Sequence, residues 1–203
     1  PMLAEIPSAR LFDEFLKLFL AGTAAATFGL LERYGLAREL FPSTSRALLT
    51  ESAGRQLIEA ALRGTDERVA IGKPVTPAFL LDAILWPALR KAMSAELARG
   101  ESPHQALINA AQDVLNEQLA VIAVPRRFTL PMKEIWELQG RLEQRRGRKA
   151  LAVLNHKRFR AAYDLLLLRA AVGDADPDHA TYWTELQDRH GTGTPRDDSE
   201  EPE

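Results

Sequence analysis

Cysteine is absent from this 203-residue chain. That excludes disulfide frameworks and thiolate metal sites, and it directs the reading toward a reducing, cytoplasmic compartment. Long apolar runs are absent as well. The most apolar stretches, 119–124 and 165–168, stop far short of the roughly 20 residues a spanning helix needs, and the N-terminus lacks the basic-then-apolar layout of a signal peptide. No membrane is therefore expected among the partners. Strand-length β-branched alternation is hard to find, and the four histidines, His104, His156, His179 and His190, share no metal-ligand spacing. Neither a glycine-rich phosphate loop nor a G-x-S-x-G elbow occurs.

What is present is helical spacing from end to end. The fold expected is all-α, an irregular bundle of about eight to ten helices with a disordered acidic C-terminus. Ser8 reads as the N-cap of a first helix whose apolar face carries Leu11, Phe12, Phe15, Leu16, Leu18 and Phe19. A second helix runs from about Thr23 to Tyr34 and stops at Gly35. Residues 43–72 read as one or two helices broken around Gly64, followed by a loop to Pro77. A helix from Pro77 to about Arg99 should kink or end at Pro87. The next, from Ser102 or Pro103 to about Ala123, turns Leu107, Ile108, Ala111, Val114, Leu115, Leu119 and Ile122 inward. Three more fit the remainder: about Met132 to Arg146, about Lys149 to Val172 with a break near Asn155, and about Pro177 to His190.

Net charge is −2, but it is unevenly spread: residues 1–123 sum to −2, residues 124–170 to +8 and residues 171–203 to −8. A basic block of under fifty residues is a local field that attracts polyanions. It contains Arg126, Arg127, Lys133, Arg141, Arg145, Arg146, Arg148, Lys149, Lys157, Arg158, Arg160 and Arg169. Interleaved are Phe128, Trp136, Phe159 and Tyr163. Guanidinium groups grip phosphate bidentately and stack on bases, so an arginine-dominated block suits RNA better than lysines alone would. The plain alternative is a solvated helix face, and for Trp136 and Tyr163 the core is the expected place, given apolar neighbours at helical spacing.

Two further patterns are weighed. Asp174, Asp176, Asp178 and Glu185 fall at EF-hand ligand positions, but His179 stands where that loop needs glycine, so Asp178 or a neighbouring Asp is expected near the start of the last helix instead. Arg10, Glu14 and Lys17 lie at i, i+4 and i+3 steps on the first helix and read by themselves as a surface ion-pair ladder.

The runs Ala9-Arg10-Leu11-Phe12-Asp13-Glu14, Thr65-Asp66-Glu67-Arg68, Pro77-Ala78-Phe79-Leu80 with Trp86-Pro87, Pro125-Arg126-Arg127, Trp136-Glu137-Leu138-Gln139, Arg145-Arg146-Gly147-Arg148-Lys149 and Arg158-Phe159-Arg160-Ala161-Ala162-Tyr163-Asp164 resemble, in order, the C-terminal half of bacterial poly(A) polymerases, relatives of the CCA-adding enzymes. The resemblance implies a chain that is the end of the neck (1–50), body helices (51–125), leg helices that hold RNA (126–190) and a disordered acidic tail (191–203). It implies RNA 3′ ends as substrate and an N-terminal catalytic head as partner. No cofactor is expected in this chain itself, ATP and Mg²⁺ being implied for the full-length enzyme. The head motifs G-G-x-x-R and D-x-D and the neck motif E-D-x-x-R are missing, so no catalytic residue is expected, and Pro1 in place of an initiator Met fits a partial chain. Arg10, Glu14 and Lys17 match the helix that supports the neck against the head. Lys157 departs from the family's proline, and the acidic end departs from a frequently basic extension. The RNA-binding set expected is Arg126, Arg127, Lys133, Arg141, Arg145, Arg146, Arg148, Lys149, Lys157, Arg158 and Arg160. A freestanding non-catalytic RNA-binding module, a CCA-adding relative and a helical protein scaffold remain the alternatives.

Overall fold

Apolar residues three and four apart bury one stripe of a helix against its neighbours, and a computed structural model of the chain is built from such stripes alone. It describes residues 5–144 and 147–190, with side chains of 147–149 excepted. Among these residues there are eleven helices and no strand. They are α1 (Ser8–Phe19), α2 (Ala24–Arg33), α3 (Ala37–Leu40), α4 (Pro42–Leu48), α5 (Ser52–Ala70), α6 (Pro77–Ala98), α7 (Pro103–Val121), α8 (Arg126–Leu142), α9 (Gly147–Leu154), α10 (Phe159–Ala171) and α11 (Pro177–His190). None of the described helices is long and apolar enough to cross a membrane. The expected acidic tail, 191–203, lies outside the described residues.

The chain forms two compact units, residues 1–137 and 138–203, and the division falls within α8. In the first, Phe12, Phe15 and Phe19 of α1 make an aromatic ladder, with Phe15 and Phe19 centroids 4.6 Å apart. Phe41 meets Phe15 edge-on at 6.0 Å, and Phe128 of α8 tilts against Phe12 at 5.5 Å. Ser8 does not cap α1: it is the first helical residue, Pro7 holds the cap position, and the Pro7 carbonyl accepts from Leu11 N–H at 3.1 Å. Leu18, expected in the core, is exposed because the buried stripe centres on Phe15 and leaves it at the margin.

The N-terminus of α2 is capped from a distance. The Asp66 carboxylate on α5 accepts from the Ala24 and Ala25 amides at 2.6 and 3.1 Å, placing a negative charge where the helix dipole is positive. Gly35 takes φ 72° just beyond α2, as the turn there requires. The break expected at Gly64 does not occur. α5 runs through it to Ala70, since one mid-helix glycine costs only about 1 kcal/mol and the buried stripe Leu57, Ile58, Ala61, Leu62 and Thr65 continues past it.

Nor does α6 end at Pro87. Residues 80–89 are buried without interruption, so packing on every side offsets the roughly 3 kcal/mol that an interior proline costs. The ring sits against Gly54 of α5, where an added Cβ would come within 2.9 Å of two ring carbons. Ser102 caps α7, its hydroxyl accepting from Gln105 N–H at 3.3 Å. Two α7 residues expected to point inward do not: Ile108 is 42% and Leu119 37% exposed, each flanking a stripe of Leu107, Ala110, Ala111, Val114, Leu115 and Gln118. Gln118 is buried because it donates to the Leu40 carbonyl at 2.9 Å, satisfying the end of α3.

α8 starts at Arg126 rather than near Met132 and carries Pro131 inside it. The Pro125 carbonyl accepts from Phe128 and Thr129 amides, and the Phe128 contact with Phe12 fixes this early turn. In the second unit Trp183 is fully buried and its indole N–H donates to the Leu142 carbonyl at 2.7 Å. Tyr163 and Thr184 hydroxyls meet at 2.6 Å, linking α10 to α11. The chain breaks between α9 and α10 over residues 155–158, near Asn155 as expected.

Candidate nucleic-acid interface

A guanidinium can bind phosphate only if it is exposed and not already held by a carboxylate. Outside the basic block, several of the first unit's arginines are held by carboxylates. Arg46 reaches Glu117 through two bonds of 2.8 and 2.6 Å, which raise its already high pKa. Arg55 pairs with Glu32, and Arg99 pairs with Glu96. Within the block the pattern changes.

In the first unit, Arg126 and Arg127 are exposed at the start of α8, and no described carboxylate pairs with either. Arg127 lies 5.1 Å from the ring of Phe128, whose contact with Phe12 anchors the turn that presents both cations. Lys133, half-buried two turns on, donates to the Gln112 side-chain oxygen at 3.4 Å.

In the second unit, Arg141 is exposed with no described carboxylate partner. Lys157 and Arg158 come in the turn before α10 and Arg160 on its first turn, with Lys157 and Arg160 exposed and Arg158 half-buried. Arg160 pairs with Asp164 at 3.0 Å and lies 5.7 Å from the Tyr163 ring, a pair at the surface that an incoming phosphate could compete for. Arg145 and Arg146 lie outside the described residues, and Arg148 and Lys149 are described by backbone alone, on α9.

One member of the block has another task. Arg169 is 2% exposed, and its guanidinium is shared among Asp174 at 2.9 Å, Glu143 at 2.7 Å and the Gln139 oxygen at 3.0 Å. It pins the end of α8 to α10 and the turn after it. The interleaved aromatics are likewise structural: Trp136, Phe159 and Tyr163 are buried, so none of the three opens a ring face to a base. Sequence reasoning missed an aromatic that the fold leaves exposed. Tyr34 is 69% exposed at the end of α2, with the Arg33 guanidinium 5.9 Å from its ring. The signal was available in the Arg33-Tyr34-Gly35 terminus, which places both side chains beyond the last buried turn.

Of Arg10, Glu14 and Lys17, the last two pair at 3.0 Å, and Arg10 is exposed without a described carboxylate partner. The acidic run before and within α11 serves the backbone and Arg169. Asp174 is held by Arg169, and Asp176 accepts from the Asp178 amide at 2.9 Å at the start of α11. Among the described residues no group of three or more acidic or histidine side chains could hold a metal ion.

Comparison with known proteins adds the decisive observation. The family described as "Polymerase A arginine-rich C-terminus" matches residues 99–202, and that described as "Probable RNA and SrmB-binding site of polymerase A" matches residues 1–48. The chain belongs to the bacterial poly(A) polymerase I family, as its C-terminal portion. It is 42% identical to the poly(A) polymerase I of Escherichia coli O6:H1 (strain CFT073) over 174 residues, covering 84% of the chain and 37% of that relative. It is 40% identical to the Haemophilus influenzae enzyme over 198 residues, covering 94% and 43%, and 38% identical to that of Salmonella typhi over 191 residues, covering 92% and 41%. It thus spans about 40% of the length of these curated relatives.

Several runs that carry the poly(A) polymerase resemblance prove to be structural. Thr65 donates to the Ala61 carbonyl at 3.0 Å, Asp66 caps α2 and Arg68 holds the Pro74 carbonyl at 3.0 Å. Trp136 lies against the buried Asp82, while Gln139 donates to the Ala162 carbonyl at 2.9 Å.

Proposed function

We propose that this chain is the RNA-holding rear portion of a polynucleotide adenylyltransferase that adds AMP from ATP to RNA 3′ ends, in mRNA polyadenylation and decay. The observation that carries the reading is the contrast in arginine pairing. Several arginines outside the block are paired with carboxylates, Arg46 with Glu117 and Arg55 with Glu32 across helices, whereas Arg126, Arg127 and Arg141 are exposed and no described carboxylate pairs with them. A region kept basic in this way has a phosphate-rich partner as its simplest use. Arg145, Arg146, Arg148, Lys149, Lys157, Arg158 and Arg160 belong to the same proposed set.

Catalysis is assigned to an N-terminal head carried by the remaining length of the relatives, with Arg10, Glu14 and Lys17 on α1 as the proposed support between neck and head. ATP and Mg²⁺ belong in this proposal to that head, as the resemblance to bacterial poly(A) polymerases implies for the full-length enzyme. The proposed setting is the cytoplasm, consistent with a chain free of cysteine. The test is filter binding of unrelated single-stranded RNAs to the 203-residue chain and to a variant with Arg126, Arg127 and Arg141 replaced by glutamate. Affinity for all sequences should fall together, by on the order of tenfold or more at low salt. Unchanged affinity would remove these residues from the interface.

A further inference from the structure

Beside Lys133, in the first unit, α7 and α8 leave an open groove of about 260 Å³. Its apolar lining comes from Leu107, Ile108, Ala111 and Trp136. Ile108 is one of the two α7 residues whose spacing predicts burial and which the fold leaves exposed. The rim is polar and mixed: Gln112 on α7, with Lys133 and Glu137 one turn apart on α8. The volume falls just under the roughly 300 Å³ at which drug-sized pockets begin, so the groove suits one flat ring system and not a bulky cofactor.

The rim chemistry narrows the occupant. Lys133 supplies one positive charge, and Arg126 lies two turns earlier on the same face of α8, at a spacing of seven residues, exposed and with no described carboxylate partner. A partly apolar groove with cations beside it complements a single-stranded polyanion that carries bases, which is what RNA is. Gln112 adds a directional element. Its amide nitrogen donates to Asn116 at 2.7 Å, but its oxygen takes only the long Lys133 bond of 3.4 Å, leaving room for a second donor. Glu137 is exposed and has no described partner. Two acceptors on the rim of a groove with apolar lining favour a base with an exocyclic amino group over one without.

We propose that the α7–α8 groove is a nucleobase subsite: it takes one unstacked adenine of a bound RNA, its amino group toward Gln112 and Glu137, its backbone phosphate toward Lys133 and Arg126. This rests on the RNA-binding reading above and adds to it a place where the strand's bases, not only its phosphates, are felt. The amino-group contacts make oligo(A) the better ligand and oligo(U) the poorer one at equal charge.

The test uses the 203-residue chain with three strands of equal length: oligo(A), oligo(U) and an abasic phosphodiester. The chain should prefer oligo(A) over the abasic strand by roughly tenfold, the net scale of one or two hydrogen bonds. Ala111→Phe, which fills the slot, and Gln112→Ala, an exposed change that leaves the core untouched, should each erase most of that preference and leave abasic binding as it was. An unaltered oligo(A) preference in the Gln112→Ala variant would overturn the subsite, as would equal binding of all three strands by the unaltered chain, the result expected if a protein segment or nothing occupies the groove. Failure of all strands to bind at any salt concentration would instead sink the RNA-binding reading and the subsite with it.

Discussion

Arg169 and Arg141 belong to the same basic run, and only one of them can meet a phosphate. The difference is supplied by two carboxylates, Glu143 from the turn after α8, 26 residues away in sequence, and Asp174 from the turn after α10, five residues on, which together hold the Arg169 guanidinium. Composition cannot show this, because it counts charge without knowing which carboxylates the fold brings within reach. Replacing Arg169 by methionine strands these acids and the Gln139 oxygen, a loss on the order of 3 kcal/mol when a buried charge partner is removed. Urea unfolding should register that loss, while the salt dependence of RNA binding by the still-folded fraction stays unchanged; a reduced salt slope would show Arg169 on the phosphate surface after all. Asp82 illustrates the opposite case, an acid with no compensating charge. It is buried in α6 with its carboxyl toward the Trp136 indole, yet neither oxygen completes a well-formed hydrogen bond. Burial holds its pKa well above the ordinary carboxylate value, and the indole N–H only partly opposes this. The folded state therefore binds the proton more tightly than the unfolded one, so this group's contribution is fully present below the unfolded pKa and is lost as pH rises through the raised folded value. Asp82→Asn should accordingly raise Tm at neutral and alkaline pH by a few degrees, about 1 kcal/mol in a chain of this size, and flatten its decline with pH. An identical pH profile in the two proteins would mean that Asp82 does not titrate with folding.

At the scale of elements, helix type and position were legible and two interruptions were not. Gly35, Ser102, Pro103 and the Asn155 break stand where local stereochemistry puts them, since caps and turns depend on the residues beside them. Gly64, and Pro87 when read as a helix end, mislead because whether a weak helical position ends a helix depends on what packs around it. Ile108 and Leu119 were misplaced for a related reason: their spacing fits a broad stripe, and the actual neighbours of α7 cover a narrower one. Two glycines on α5 separate these effects. Gly64 has nothing within 4 Å of a built Cβ, so Gly64→Ala should stabilise by about 0.5–1 kcal/mol through helix propensity. At Gly54 the Cβ would meet the Pro87 ring at 2.9 Å and Leu48 at 3.3 Å. The ring cannot swing away, and overpacking of about 1–3 kcal/mol should outweigh the propensity gain. Thermal melts of the two variants should therefore move in opposite directions from the parent. Movement of both upward would mean that α5 and α6 approach less closely than the Gly54 notch requires.

For the whole molecule, the uneven charge visible in the sequence is the property that folding preserves in outline and edits in detail. Folding withdraws Arg169, engages Arg160 with Asp164 and Lys133 with Gln112, and leaves Arg126, Arg127 and Arg141 exposed. Much of the candidate interface was thus legible as composition, whereas Tyr34 and the α7–α8 groove were not, because exposure of a single ring and a gap between two helices are products of packing. The claim on which the function rests is that these cations release counterions from an RNA backbone, and it is tested most directly by the salt dependence of single-stranded RNA binding to the 203-residue chain. A plot of log affinity against log salt should fall steeply, with a slope of about −0.7 for each neutralised phosphate, and should become shallower by about that amount for each phosphate no longer neutralised when Arg126, Arg127 or Arg141 is replaced by glutamine. A slope near zero, or one that the three replacements leave unaltered, would contradict the account.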